Sequence, residues 1–324
     1  MIVVGGEALI DLVPAGGTGG GGPLAPLVPL RGGGPYNTAL ALARLGTRTA
    51  FCSRVSTDAF GEALLDGLRA AGVELNLVQR GPEHTTLALA TVTGDGSAEY
   101  AFYVQGTADR LFEEPPVMPD AANALCLGTV SLVLEPGASA YEALLRRAAH
   151  HGVFTLLDPN IRPLLIPDPA AYRARFRAWL PDVRLLKLSE ADAEWLADGQ
   201  DVMRAAEGWL AAGPAAVVLT HGADGLSVLA RGGTRAPHEG PLRVKVRSPR
   251  VAVADTIGAG DTVNAALLHW LERRGALSRP AVAALDTPAW QEALTFAARA
   301  AALTCTRAGA EPPTAAELGE PGRV

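Results

Sequence analysis

The chain has 324 residues, is 48% hydrophobic and carries a formal net charge of −6, which is enough apolar material for one large domain or two modest ones. A mildly acidic balance without runs of Lys or Arg excludes nucleic acid or an anionic membrane surface as the main partner, because both are held through clustered cations. Only Lys187 and Lys245 are lysines, so arginine carries nearly all the positive charge.

The opening "MIVVGGEALIDLV" reads as strand. It lacks a basic start and meets Glu7 and Asp11 too early for a signal peptide. Next, "GGTGGGG" contains GxGxxG at Gly17, Gly19 and Gly22. A dinucleotide site would need a helix there and an acidic residue about 20 positions later. Instead "PLAPLVPL" follows and no Asp or Glu lies between Asp11 and Asp58, so a flexible loop is expected. In "RGGGPYNTALALARLG" three glycines precede a helical pattern that opens near Asn37. Two readings stand side by side: a turn with an N-cap, or close backbone approach to a polar ligand whose hydroxyls meet Asn37 and Asp11.

"RTAFCSRV" and "FGEALLDGLRAAG" continue as strand and helix, and the pattern returns in "VFTLLDPN", "VRLLKLS", "DVMRAAEGWLAAG", "AAVVLTHG" and a long C-terminal helical stretch. Strands separated by helices predict right-handed crossovers and a mostly parallel sheet covered on both faces, a three-layer α/β/α sandwich. One region departs from this. "TTLALATVTGDGSAEYAFYVQG" holds two alternating runs around Gly94-Asp95-Gly96, a hairpin signature. With the segment after Asp11 it predicts a small accessory sheet, a flap able to close over a ligand.

Cys52, Cys126 and Cys305 are far apart, odd in number and set in apolar surroundings. Free thiols in a reducing compartment, the cytoplasm, are the expectation, and no cluster offers zinc ligands. No apolar run approaches the roughly 20 residues of a membrane span.

Phosphate chemistry narrows next. There is no Gly-Lys pair for a Walker loop and no HRD or DFG sequence. Nucleotide phosphates would then be held by backbone donors and arginine. "VAVADTIGAGDTVNAALLHWL" has a strand-like run, two aspartates around Ile257-Gly258-Ala259-Gly260, and an amphipathic helical pattern. A helix mouth of this kind can hold an anion. Spacing alone leaves two readings open: Asp261 merely caps the helix, or it is a general base placed where a hydroxyl meets that anion.

Both glycine motifs together resemble the paired signatures of the ribokinase-like, or PfkB, family of carbohydrate kinases. The resemblance runs nearly the full chain, through "GEALIDLVP", "GGGPYNTALALARLG", "TDAFGEALLDGLRAAGV", "AEYAFYVQGTADR", "LLDPNIRP", "KLSEADAEWL", "VVLTHGADG", "DTIGAGDT" and "AARAAALTCTRAGAEPP" in the family's order. It implies one kinase domain over 1–324 with a β lid from about 12–30 and 84–107, ATP as donor, Mg²⁺, and K⁺ as a common activator. By position, Asp261 would take the proton from the sugar hydroxyl while remaining an ordinary anion. Ile257, Gly258, Ala259 and Gly260 would form the anion hole, without help from lysine. Asp11, Gly33, Gly34 and Asn37 would hold sugar hydroxyls, with Tyr103 and Gln105 lining the same pocket. Asn160 and Arg162 fall where the family meets substrate or ATP phosphates, and Ser189, Thr220, Gly222 and Gly225 where it meets the nucleotide.

This chain has Ser189-Glu190-Ala191-Asp192 where many members have Asn-x-x-Glu, which puts Asp192 in the Mg²⁺ and phosphate water network, and Ala298 where many have Asn. Asp255 would shape the turn or a monovalent-cation site. "GEALID", GGxPxN and "DPNIRP" are most similar to fructokinases, so fructose phosphorylated on its 6-hydroxyl is the first expectation. A 2-keto-3-deoxygluconate kinase, with Arg110 or Arg162 meeting the substrate carboxylate, is the second, followed by a ribokinase or nucleoside kinase. A non-catalytic sugar-binding regulator is the alternative from another class. The resemblance also implies a homodimer formed through the lid.

Overall fold

β-Branched and leucine-rich runs of four to eight residues form the strands. β1 (Ile2–Gly5), β4 (Thr49–Ser56), β5 (Glu74–Gly81), β8 (Ala124–Gly128), β9 (Phe154–Asp158), β10 (Leu185–Ser189), β11 (Ala216–Thr220), β12 (Leu226–Ala230) and β13 (Leu242–Val246) make one sheet. Its order is β13-β12-β11-β10-β9-β8-β1-β4-β5. Every neighbouring pair from β11 to β5 is parallel, and β12 alone is reversed, pairing antiparallel with β11 and β13. This computed structural model describes residues 1–15, 26–92, 98–232 and 240–319.

Side-chain alternation along each strand divides the core in two. Ile2, Val4, Phe51, Leu156 and Leu185 pack with α1 (Gly34–Arg44), α2 (Ala59–Ala70), α7 (Ala259–Arg273), α8 (Arg279–Ala283) and α9 (Thr287–Cys305). Val3, Cys52, Leu157 and Leu186 pack with α3 (Gly137–His150), α4 (Pro169–Trp179), α5 (Glu190–Ala197) and α6 (Val202–Ala212). The predicted three-layer sandwich is therefore present, with Trp290 fully buried on one face and Trp179 on the other.

β2 (Leu9–Pro14), β3 (Leu27–Gly32), β6 (Leu87–Val92) and β7 (Ala98–Tyr103) form a second sheet in the order β3-β2-β6-β7. β6 and β7 pair antiparallel from Leu87↔Tyr103 to Val92↔Ala98. The glycine loop from Gly16 to Gly22 and the turn at Gly94-Asp95-Gly96 lie outside the described residues. In the large sheet the chain builds outward from β1 in both directions. The crevice beyond the carboxyl ends of β1 and β8 is thus the topological switch point, where open α/β sheets bind ligands.

Candidate active site

Strand register assembles the first part of the site. On β9 and β10, Leu156 and Leu185 face the α7 side; two residues on, that face carries Asp158, the last residue of β9, and Lys187, the middle residue of β10. Lys187 Nζ donates to Asp158 Oδ2 at 2.8 Å, with side-chain exposures of 4% and 3%. Asn264, one turn into α7, donates to the same oxygen at 2.7 Å. Burial opposes the charge on Lys187, yet its pKa is raised on balance because Asp158 attracts and hydrogen-bonds the ammonium.

Asp261 sits in the first turn of α7 and is 8% exposed. Asn37, in the first turns of α1, donates its Nδ2 to Asp261 Oδ2 at 2.9 Å. The other oxygen, Oδ1, lies toward Gly34, where an added Cβ would come within 3.2 Å of it. Asn37 therefore fixes the carboxylate through Oδ2 and leaves Oδ1 on the side of Gly34. Burial pushes the Asp261 pKa up to about 7; the Asn37 bond lowers it, Asp158 raises it, Lys187 lowers it and Glu7 raises it. The expectation of an ordinary anion is corrected on this point: desolvation outweighs the stabilising donors.

Gly258, with φ 77, is the N-cap of α7. Among the described residues no acceptor takes the N–H of Gly258 or Gly260, and Ala259 N donates weakly to Thr256 O at 3.3 Å. Ile257 departs from the predicted anion hole. Its N–H is given to Asp255 Oδ1 at 3.1 Å, beside the Thr256 N–H at 2.7 Å. Asp255 Oδ2 takes Gly309 N at 2.9 Å, tying the turn to the loop after α9. Asp255 thus already accepts three backbone donors.

A cavity of about 340 Å³ opens in front of Asp261. Asp11, Gly33, Gly34, Asn37, Asn160, Arg162, Ser189 and Thr220 all line it, together with Gly258 and Gly260. Asp11, on β2, has its pKa raised to about 6 by burial, with Arg162 opposing the shift. Arg162 Nη1 turns back onto Asn160, donating to its Oδ1 at 2.8 Å. Asp192 also lines the cavity, but its Oδ1 takes Ile161 N at 2.7 Å while Oδ2 takes Ser189 N and Oγ at 3.0 and 2.6 Å. Ser189 and Asp192 are a capping box for α5, so three protein donors already occupy this carboxylate.

Two predicted lining residues do not reach the cavity. Tyr103 is 59% exposed, and Gln105 is exposed, accepting from Arg110 Nη1 at 3.0 Å. Phe102 lines the cavity instead, because adjacent strand residues point to opposite faces of the sheet. Phe102→Ala should raise the KM of the substrate bound in this cavity several-fold and Tyr103→Ala should leave it unchanged; equal effects in steady-state assays would contradict this assignment.

Besides Phe102, sequence reasoning missed two charged residues of the cavity lining, Lys187 and Glu7. A Cβ on Gly260 would sit 3.0 Å from Lys187 Nζ, so the ammonium lies beside the anion hole. Its one sequence signal is a lysine alternating with leucines in "LLKLS", on a face that should be apolar. Glu7 is 3% exposed; Ser131 N donates to it at 3.2 Å, and the Thr129 and Ser131 hydroxyls also donate. Burial raises its pKa. Thr129 itself holds φ 65, a left-handed conformation unusual for a β-branched residue.

A second cavity, of about 520 Å³, adjoins the first and shares Thr220, Thr256 and Gly260 with it. Gly222 and Gly225 line it near its shared edge, while Val263, Ala298 and Ala302 give it apolar walls. Two compartments meeting at one helix N-terminus suit a polar acceptor and a nucleotide whose phosphates reach the junction.

Known proteins with this arrangement agree. The pfkB family carbohydrate kinase pattern matches residues 1–316. A fructokinase of Rhizobium leguminosarum bv. trifolii is 39% identical over 291 residues, covering 89% of this chain and 85% of that protein. Fructokinase-1 of Oryza sativa subsp. japonica is 31% identical over 332 residues, 98% of this chain and 96% of its own. The crystal structure of a Xylella fastidiosa fructokinase with bound ATP superposes with a TM-score of 0.85 at 26% identity, covering 98% of this chain and 96% of that one. Its full-length match, its fold and its paired cavities make this chain a member of the pfkB family of carbohydrate kinases.

Proposed function

We propose that the protein transfers the γ-phosphoryl group of ATP to the 6-hydroxyl of fructose. The observation that carries this reading is Asp261 Oδ1, held toward a polar cavity by Asn37 at the point where the apolar cavity meets the N-terminus of α7. The fructokinases at 39% and 31% identity favour fructose, and the ATP-bound relative favours ATP in the larger cavity.

An alcohol is too weak an acid to ionise beforehand, so Asp261 accepts its proton as the new O–P bond forms. A base poised at about pH 7 suits that task. Asp11, Gly33, Gly34 and Asn37 orient the sugar, and Phe102 covers it. The N–H groups of Gly258 and Gly260, with Ala259 at the helix start, face the charge on the transferred group, and Lys187 and Arg162 add positive charge. Thr220, Gly222 and Gly225 hold the nucleotide side, with Asn160, Arg162 and Ser189 toward its phosphates.

Among the described residues no three His, Cys, Asp or Glu side chains cluster as a metal cage. That fits Mg²⁺, which keeps much of its water and binds through phosphates and one or two carboxylates. Asp192, through water, is the carboxylate we assign to it, and bound Mg²⁺ would neutralise phosphate charge. A monovalent cation such as K⁺ belongs beside Asp255. In this reading the chain works as one kinase domain with the smaller sheet as its lid. That sheet's edge strands β3 and β7, with Leu27 and Val28 each 41% exposed, are the surface for a homodimer. We place the reaction in the cytoplasm, where free Cys52, Cys126 and Cys305 stay reduced; among the described residues no helix is long and apolar enough to cross a membrane.

ADP release across a panel of fructose, 2-keto-3-deoxygluconate, ribose and nucleosides, with Mg²⁺ and K⁺ present, tests the assignment. Fructose should turn over fastest, giving fructose 6-phosphate. Arg162 could receive the carboxylate of 2-keto-3-deoxygluconate, but Asp11 faces the same guanidinium and would repel it. No turnover of any sugar by folded protein overturns the reading, and a fastest rate with another sugar overturns fructose.

A further inference from the structure

A much smaller cavity, of about 10 Å³, lies against Asp261 and is lined also by Gly34, Thr38, Cys126, Asp158 and Asn264. Two of these side chains carry buried oxygens with no protein partner: Asp158 Oδ1 and Asn264 Oδ1. Their residues are 2% and 3% exposed. The orientation of the Asn264 amide is fixed by chemistry, because its Nδ2 donates to Asp158 Oδ2 at 2.7 Å; a flipped amide would set oxygen against carboxylate oxygen. Both unpartnered atoms are therefore acceptors. Buried acceptors require donors, and a space of this size admits about one water and nothing larger.

We infer that this cavity binds one water molecule, donating to Asp158 Oδ1 and Asn264 Oδ1, and that the Asp158–Lys187 pair so completed is a positioning element that sets the charge state of Asp261. The inference rests on the kinase reading for its consequence, not for the water. Asp158 Oδ2 is pinned by Lys187 and Asn264, and the water holds the second oxygen, so the carboxylate cannot rotate toward Asp261. The pair then acts on the base from a fixed place. Asp158 raises the proton affinity of Asp261 and Lys187 lowers it.

Other groups face Asp261 as well. Glu7, after β1, raises its proton affinity. Cys126, on β8, has its own thiol pushed up by burial, so it stays neutral. From α1 comes uncharged Asn37. Arg162 and Asp192 line the same sugar cavity.

The test measures the pH dependence of kcat with saturating fructose and Mg·ATP. Asp158→Asn should move the acid limb down by about one pH unit, and Lys187→Met should move it up by about one, the range for a charge a few ångströms away. The double variant should return it toward the wild-type position. Loss of kcat at every pH with no displaced limb would show a purely structural role and overturn the inference. Should the single variants fail to fold, Asn264→Leu fills the cavity without changing charge and must still alter the titration of Asp261. ¹³C NMR of aspartate-labelled protein reads that titration without turnover, so a protein inactive toward every sugar defeats the kinase reading alone. A high-resolution crystal structure of the wild type should show one water within hydrogen-bonding distance of both acceptors; no density there overturns the proposal.

Discussion

Asp261→Asn is expected to lower kcat roughly 10²- to 10⁴-fold, the usual contribution of a general base, while fructose binding by calorimetry stays within a few-fold of wild type. The amide keeps the shape of the site. Its oxygen can take the Asn37 Nδ2 donor that now meets Oδ2 at 2.9 Å, which turns the NH₂ toward the substrate, where it cannot accept a proton. Wild-type activity in the variant would remove Asp261 from the mechanism. The same substitution has a stability signature of determinate sign. Burial raises the folded pKa of Asp261 from the ordinary 3.8 to about 7, so between those values the folded state binds the extra proton. This residue's contribution to stability is fully present below about pH 4 and is lost as pH rises through 7. Urea titrations should therefore show Asp261→Asn gaining stability relative to wild type between pH 5 and pH 8, a trade of stability against activity expected where a charge is buried for function.

The fold was legible because alternation of β-rich and helical runs is a local property, repeated along the chain. "DTIGAGDT" was legible as a helix mouth for the same reason. What lay beyond the sequence is long-range. Lys187 read as an oddity in a leucine strand until β9 stood beside β10 and set Asp158 2.8 Å from its ammonium. A reading that looked only to backbone donors and arginine had no reason to set this lysine beside Gly260. The assignment of Tyr103 rather than Phe102 was wrong by one residue, and one residue in a strand reverses the face. Ile257 was an anion-hole donor by its position in the family motif; only the turn geometry shows that Asp255 has already taken its N–H. Asp192 was readable as a carboxylate near phosphate, but its capping box with Ser189 and its bond to Ile161 depend on the end of β10 lying beside the loop after β9. Spacing can announce chemistry at a turn. It cannot say which donors the turn has already used.

Gly258→Ala should cost kcat 10²-fold or more and destabilise the protein by about 1–3 kcal/mol. The two losses have different origins. Gly258 holds φ 77, a left-handed conformation that penalises any side chain and accounts for the stability term. A Cβ there would also lie 2.7 Å from Ala310 Cβ and 3.0 Å from its Cα, and this loop cannot simply retreat, because Gly309 N is bonded to Asp255 in the same turn. The strain is then relieved by moving the start of α7, which carries Gly260 and Asp261. Misplacing reacting groups by about 1 Å is enough for a 10²-fold loss. Gly46→Ala separates the effects: Gly46 has φ 82 but meets nothing within 4 Å, so it should lose stability and keep its kcat. If both variants keep wild-type turnover by coupled assay, the turn at Gly258 does not position the catalytic groups, and the anion hole must be sought elsewhere.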